Sequence, residues 1–238
     1  VLGFVGYKDD KLVGRYGLEL YYEQMLKRDV SDSKTNSFAE LFFDLKKLIA
    51  GEITSGDIVL TIEPNVQSML EKSLEKTKEK YKAQTVGGMI ISPKTGEIIA
   101  MSAKPDFNPN QYAKTKDFSI FMNPLVESVI EMGSIMKPLT LAASMDTGSI
   151  AASTTYTDKG FLVFGPSRIE NYDGKARGLA DMQKVLNESL NTGAVFAMQK
   201  MGKDKFRDYV LGYGFGEKTG VELPQEGKNN IGNIIGNS

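Results

Sequence analysis

The sequence predicts a mixed fold in which several α-helices accompany antiparallel β-strands. Two apolar runs, residues 86–91 and 97–102, flank a Ser-Pro-Lys-Thr-Gly segment and predict a β-hairpin. Before this hairpin, Pro64 suits the first position of a helix, and apolar residues at helical spacing predict that the helix extends to Tyr81. The 238 residues, 41% of them hydrophobic, suit one large domain or one domain with part of another.

Further elements are predicted from apolar periodicity and from Gly residues that end helices. The other predicted helices cover residues 17–26, 38–49, 134–145, 181–188, 192–201 and 204–211. A strand is predicted over 57–62, a polar loop over 31–37 and loop-like chain over 107–123. The composition of the helix from Pro64, rich in Lys and Glu on one side, indicates a solvated face.

The composition restricts the chemistry that the chain can perform. The formal net charge of −1 gives no electrostatic signature for nucleic acid binding. The chain contains no Cys and no His, which excludes a Cys nucleophile, a Ser-His-Asp triad and the usual His or Cys zinc sites. An enzyme of this composition would have to move protons with Lys, Asp, Glu, Tyr or Ser.

The segment from Glu131 to Pro138 contains a Gly-Ser-x-x-Lys pattern, with Ser134 and Lys137 three residues apart. On a helix these positions share a face, so the amine can reach the hydroxyl. Gly133 allows the backbone to turn sharply before the helix. A serine needs a base, and a desolvated neutral lysine can replace the missing histidine. Taken alone, Ser-x-x-Lys also occurs by chance in many proteins of this size.

A second pattern, Ser189-Leu190-Asn191, begins 55 positions after Ser134 and falls in a break between two predicted helices. There a hydroxyl and an amide can both point into a cleft. As a lone tripeptide it is better explained as a helix cap, since Ser and Asn are favoured at that position.

Together these patterns resemble those of the monofunctional, class B penicillin-binding proteins, whose motifs are Ser-x-x-Lys, Ser-x-Asn and Lys-Thr-Gly. Four further segments resemble family landmarks in the family's order. They are 58–67 at the entry to the transpeptidase domain, 88–101 at its first hairpin, 105–110 with 123–124 before the active serine, and 214–224 after it. The resemblance covers most of the chain.

The chain departs from the family's pattern in several places. Met132 stands where the family often has Pro, and Ile135 where it often has Thr, but neither change removes a reacting group. Lys-Thr-Gly occurs at 94–96 and 218–220, and neither copy is expected to be the third motif. The first copy precedes the nucleophile and the second lies in the 214–224 landmark. We therefore expect the catalytic triplet beyond residue 238 and a domain truncated at its C-terminus.

The resemblance implies an α+β, penicillin-binding/β-lactamase-like fold: a mostly antiparallel sheet flanked by helices, with a helical subdomain. Residues 1–56 would be the end of the non-catalytic pedestal domain, and 57–238 a transpeptidase domain lacking its C-terminal part. Family members are anchored in the cell membrane by an N-terminal helix and work on its outer side. By this resemblance the anchor is expected to lie outside this chain, and the catalytic domain on the outer side of the cell membrane.

The resemblance also implies an activity, serine-type D,D-transpeptidation of peptidoglycan stem peptides through an acyl-enzyme. Ser134 would be the nucleophile, Lys137 its base, Ser189 a proton relay and Asn191 a substrate ligand, with no metal or organic cofactor. Expected partners are stem peptides, β-lactam antibiotics and proteins of the divisome or elongation machinery, but not nucleic acid. The alternatives are a related β-lactamase or β-lactam sensor, and a truncated, non-catalytic fragment.

Overall fold

The computed structural model describes residues 1–27, 56–228 and 230–236, with only the backbone at Phe164. It divides into two compact units. The first unit comprises residues 1–128 and 220–227, and the second comprises 129–219 and 228–238. The predicted loop over 31–37 and helix over 38–49 lie outside the described residues. None of the helices in the described ranges is long and apolar enough to span a bilayer.

The first unit contains two β-hairpins, one long helix and several short helical segments. Its elements are β1 Val5–Lys8, β2 Lys11–Gly14, α1 Gly17–Tyr21, α2 Glu23–Leu26, α3 Pro64–Tyr81, β3 Val86–Ile91, β4 Ile98–Lys104 and α4 Pro124–Glu127. Two 3₁₀ segments, Pro109–Lys114 and Phe118–Phe121, occupy the stretch predicted as loop. The single helix predicted over 17–26 is interrupted at Tyr22, which lies outside helical backbone geometry.

Helix α3 packs on the β3–β4 hairpin, and both elements were predicted. The Glu63 carboxylate caps the helix by accepting a hydrogen bond from the Val66 backbone N–H. Leu74 of α3 is buried, and its side chain faces Gly88 of β3. A Cβ at Gly88 of β3 would lie 3.1 Å from the Leu70 side chain, so glycine allows the close approach.

The strand predicted over 57–62 is wrong, because the structure has no strand there. The segment approaches β4 through the Thr61 hydroxyl, which donates to Ile98 O, and through the Glu63 N–H, which donates to Ile99 O. Contacts at one end do not make a ladder of paired backbone groups. Val59 is 95% exposed, so the apolar pattern of this segment is not matched by burial.

The second unit contains the four helices predicted after residue 133, one β-hairpin, and a second antiparallel strand pair whose connection includes that hairpin. Its elements are a 3₁₀ turn Gly133–Ile135, α5 Met136–Asp146, β5 Thr155–Asp158, β6 Phe161–Phe164, β7 Ser167–Glu170, β8 Gly178–Asp181, α6 Met182–Asn187, α7 Asn191–Met201, α8 Lys203–Gly212 and α9 Gly232–Ile235. Strand β5 pairs with β8 and β6 with β7, both antiparallel. The sequence patterns predicted no element over 149–180.

The core of the second unit holds the start of α7 against α5 and α6. Its buried members are Leu141, Ile150, Ala180, Met182, Val185, Leu190 and Ala197. A Cβ at Gly193 would lie 2.2 Å from a methyl of Val185, so only glycine permits this helix contact. This packing fixes the short non-helical connection between α6 and α7, in which Ser189 lies.

Candidate active site

Ser134 lies in the 3₁₀ turn immediately before α5 and is exposed to solvent. Gly133 before it has φ +59°, a backbone conformation that glycine adopts without strain. The helix itself begins two residues later than predicted, but Ser134 still stands one turn before Lys137. A potential nucleophile is therefore accessible at the start of a helix.

Lys137 is buried in the first turn of α5, with only 8% of its surface exposed. Its Nζ lies 3.1 Å from Ser134 Oγ, 2.9 Å from Ser189 Oγ and 2.6 Å from the Ser189 carbonyl oxygen. Desolvation lowers the pKa of the Lys137 amine from its ordinary value of 10.5. Burial thus favours the neutral amine, the form that can act as a base.

Ser189 reaches Lys137 from the break between α6 and α7 with a left-handed backbone, φ +52°. Such a conformation is uncommon for a residue other than glycine and persists when the surroundings enforce it. Here Leu190, whose side chain is fully buried, anchors the next position. The result is that the carbonyl and the hydroxyl of Ser189 both face Lys137.

Lys137 Nζ contacts one carbonyl oxygen and two hydroxyl oxygens. The Ser189 carbonyl can only accept, so one N–H must point at it. In the neutral amine, which the lowered pKa favours, the second N–H and the lone pair face the hydroxyls of Ser134 and Ser189. Lys137 can therefore accept a proton from one serine and return it to the other, which is the chemistry of a general base and proton shuttle.

Asn191 begins α7, and its side-chain Nδ2 donates a 2.7 Å hydrogen bond to the Glu170 carbonyl oxygen in β7. Among the described residues it makes no hydrogen bond to Ser134 or Lys137. Of the four predicted site residues, the structure thus brings three into direct contact and places Asn191 beside them in sequence, tied to a neighbouring strand.

The two Lys-Thr-Gly copies lie outside this cluster. Lys94 is in the turn of the β3–β4 hairpin, in the first unit. Lys218 is exposed in an irregular segment after α8, and no hydrogen bond joins it to Ser134, Lys137 or Ser189. A cavity of about 290 Å³ in the first unit is likewise lined by none of the four site residues.

Sequence reasoning missed the polar residues that support this site. Asp158, Asn171 and Thr192 are buried and hydrogen-bonded to one another next to Asn191. Thr192 adjoins the Ser-x-Asn pattern, but nothing in the sequence pairs it with Asp158, which lies 34 positions earlier. The two residues are linked only by a contact between distant segments, and a single sequence contains no information on such contacts.

Comparison with known proteins identifies the fold and the family. Residues 86–235 match the penicillin binding protein transpeptidase domain. Stage V sporulation protein D of Bacillus subtilis is 32% identical over 231 residues, covering 95% of this chain and 35% of that protein. The peptidoglycan D,D-transpeptidase MrdA of Acinetobacter baumannii is 27% identical, covering 95% and 37% respectively. The chain thus spans about a third of the length of these curated relatives.

Among solved structures, the PBP2 crystal structure from Pseudomonas aeruginosa superposes with a TM-score of 0.69. The superposition covers 94% of this chain and 49% of PBP2, at 22% sequence identity. It confirms the predicted α+β penicillin-binding fold, in which helices accompany antiparallel strands. Because the domain match spans more than half of the residues, the chain belongs to the penicillin-binding protein transpeptidase family, as a class B member.

Proposed function

We propose that this chain carries the acylation centre of a penicillin-binding peptidoglycan D,D-transpeptidase that works in cell wall synthesis. The observation that carries the proposal is the buried Lys137 amine, which bridges the hydroxyls of Ser134 and Ser189. Relatives bear the names peptidoglycan D,D-transpeptidase and penicillin-binding protein, which agrees with it. The site geometry and the family thus support one reaction type.

In the proposed acylation step, Ser134 Oγ attacks the penultimate carbonyl of a stem peptide that ends in D-Ala-D-Ala. Lys137 takes the serine proton as the new C–O bond forms. The C–N bond to the terminal D-Ala then breaks, and the proton passes through Lys137 and Ser189 to the leaving amine. Atoms and charge balance, because the proton that leaves Ser134 ends on the departing D-Ala.

In the second step, an amine from a neighbouring stem peptide attacks the Ser134 ester and forms the cross-link. The amine loses a proton and the serine regains one, so Lys137 acts first as base and then as acid. A β-lactam would acylate the same hydroxyl by opening of its ring. Its leaving nitrogen stays attached to the acyl group, so the ester persists.

Asn191 is proposed to hold the substrate's amide. The Glu170 carbonyl can only accept a hydrogen bond, so the Asn191 nitrogen must face it and the Oδ1 atom is oriented away. Within the described residues Oδ1 has no hydrogen-bond partner. It is therefore available to accept the N–H of a peptide or of a β-lactam side chain.

The wider assignments follow from the family. We infer that residues 1–56 end a pedestal domain, that 57–238 belong to the transpeptidase domain, and that the protein is anchored in the cell membrane with this domain outside. Division or elongation proteins would be its partners. The names of the relatives do not favour a β-lactamase, a sensor or a non-catalytic fragment.

The decisive experiment maps penicillin acylation in the full-length protein. We expect fluorescent penicillin to label the native protein at Ser134, as located by mass spectrometry, and Ser134→Ala to abolish the label. Ser153→Ala is the matched control, since Ser153 is an exposed serine of the same unit with no contact to Lys137. Retention of the label in Ser134→Ala would exclude Ser134 as the nucleophile.

A further inference from the structure

A buried carboxylate lies behind the Ser-x-Asn segment and has no role in the chemistry proposed above. Asp158, at the end of β5, is only 1% exposed. Its Oδ1 accepts hydrogen bonds from the Gly160 N–H and the Thr192 hydroxyl, at 2.9 and 2.8 Å. Its Oδ2 accepts from Asn171 Nδ2 and the Arg177 N–H, both at 2.9 Å. No ion pair reaches it within the described residues.

These four donors keep the buried carboxylate ionised. Burial alone would raise the pKa of Asp158, but the hydrogen bonds outweigh it and hold the pKa below its ordinary value of 3.8. Gly160 is required for this arrangement. It has φ +82°, and a Cβ there would lie 2.5 Å from the Gly174 carbonyl oxygen.

Thr192 links this carboxylate to the candidate site, because it directly follows Asn191. Since Asp158 is ionised and can only accept, the Thr192 hydroxyl donates to it and must accept from the Tyr156 hydroxyl, 3.0 Å away. The Thr192 N–H also points at Asn171 Oδ1, at 3.4 Å. The first turn of α7 is thereby fixed by groups from another part of the second unit.

The preceding end of the Ser-x-Asn segment is held by the same region. Arg177 Nε donates a 2.7 Å hydrogen bond to Glu188, the residue before Ser189. The other guanidinium nitrogens of Arg177 pair with Asp173. Residues 158–177 therefore contact the chain on both sides of Ser189, as well as Asn191 itself through Glu170.

We propose that Asp158 is a positioning residue for the acylation reaction: through Thr192 it holds Ser189 and Asn191 in the geometry that Lys137 and the substrate require. The inference rests on the proposed function. Ser189 has a left-handed backbone that local sequence does not favour, so the surroundings must enforce it. Asp158 touches no reacting atom and acts only through its neighbours.

The experiment uses the full-length protein with substitutions that remove single hydrogen bonds. Thr192→Val keeps the shape of the side chain but loses the hydroxyl, and Asp158→Asn turns one acceptor into a donor that faces other donors. Thr192→Ser retains the hydroxyl and should rescue. The matched control is Ser144→Ala, which removes a fully buried hydroxyl that bonds to α7 at Ala197 O, more than one turn beyond Thr192.

Two quantities are measured at equal folded fraction: the second-order rate constant of penicillin acylation, and hydrogen–deuterium exchange over residues 188–192. We expect Thr192→Val and Asp158→Asn to lower the acylation rate constant by about tenfold or more, the scale of a misplaced reacting group. Exchange over 188–192 should become faster, whereas Thr192→Ser and Ser144→Ala should stay near the native values.

The outcomes separate this inference from the proposed function. Acylation by Thr192→Val within twofold of that by Ser144→Ala overturns the positioning role, whatever the exchange shows. If the native protein is not acylated at Ser134, the proposed function fails, and the exchange then decides only whether Asp158 and Thr192 hold residues 188–192 in place. Unchanged exchange in both variants then overturns the inference, and faster exchange confined to those variants supports it.

Discussion

Two buried ionisable groups of the second unit, Lys137 and Asp158, are treated in opposite ways by their surroundings. Lys137 faces two hydroxyls and a carbonyl, and no carboxylate within the described residues pairs with it. Its pKa falls and the charged form is disfavoured. Asp158 faces four donors, and its charged form is favoured although it is even more deeply buried.

The difference shows that burial by itself does not decide the charge state of a side chain. A group that keeps its charge has its donors or acceptors fully matched and serves to hold other residues in place. At Lys137 desolvation outweighs the other interactions and lowers the pKa, which shifts the amine towards the neutral form that a general base requires. Substitutions at Lys137 and at Asp158 test the two charge states separately.

After the loss of Ser134, the largest effect on acylation is expected from Lys137→Arg, which keeps the positive charge but cannot readily be deprotonated. The acylation rate constant at neutral pH should fall by roughly 10²-fold or more, the scale of a lost general base. Stopped-flow or gel-based penicillin labelling measures it. Near-native acylation by this variant would exclude Lys137 as the base.

Removing the charge of Asp158 should lower the free energy of unfolding at pH 7 by about 3 kcal/mol, because Asp158→Asn leaves buried donors unmatched. The folded pKa is lowered, so the charge stabilises the fold above pH 3.8 and this contribution is lost as the pH falls through the folded pKa. Urea unfolding at a series of pH values from 7 downwards measures this. The difference in free energy of unfolding between the native protein and Asp158→Asn should become smaller at acid pH. A gap that stays constant would contradict the assignment.

The pH dependence of acylation reports the state of Lys137 directly. Because its pKa is lowered by desolvation, the rate constant should rise with pH and level off with an apparent pKa below 10.5. Measuring native acylation between about pH 6 and 10 tests this. An apparent pKa at or above 10.5 would show that the amine is not desolvated in solution.

The smallest effect is expected at Lys218, an exposed lysine that provides the contrast to Lys137. Lys218→Ala in the full-length protein should leave penicillin labelling within about twofold of native, the usual range for surface changes away from a site. Abolished labelling would make residues 218–220 the third motif after all.

Elements with strong local signals could be predicted from the sequence, and weaker ones could not. Pro64 and the long periodic run gave α3, and the Ser-Pro-Lys-Thr-Gly turn gave the β3–β4 hairpin. The strands of 155–181 were missed because each has only four residues, too few for a clear period. The strand predicted over 57–62 was wrong, because no neighbouring strand pairs with the backbone of this segment.

For the site, the sequence by itself determined what is local: Ser134 and Lys137 are three residues apart, and one turn of chain brings them together whatever surrounds it. Only the tertiary structure decided the rest. Ser189 meets Lys137 across 52 positions, because its neighbour Leu190 is buried in the same core as Leu141 of α5. The lowered pKa of Lys137 likewise arises from burial, a property of packed neighbours that no spacing of residues along the chain can specify.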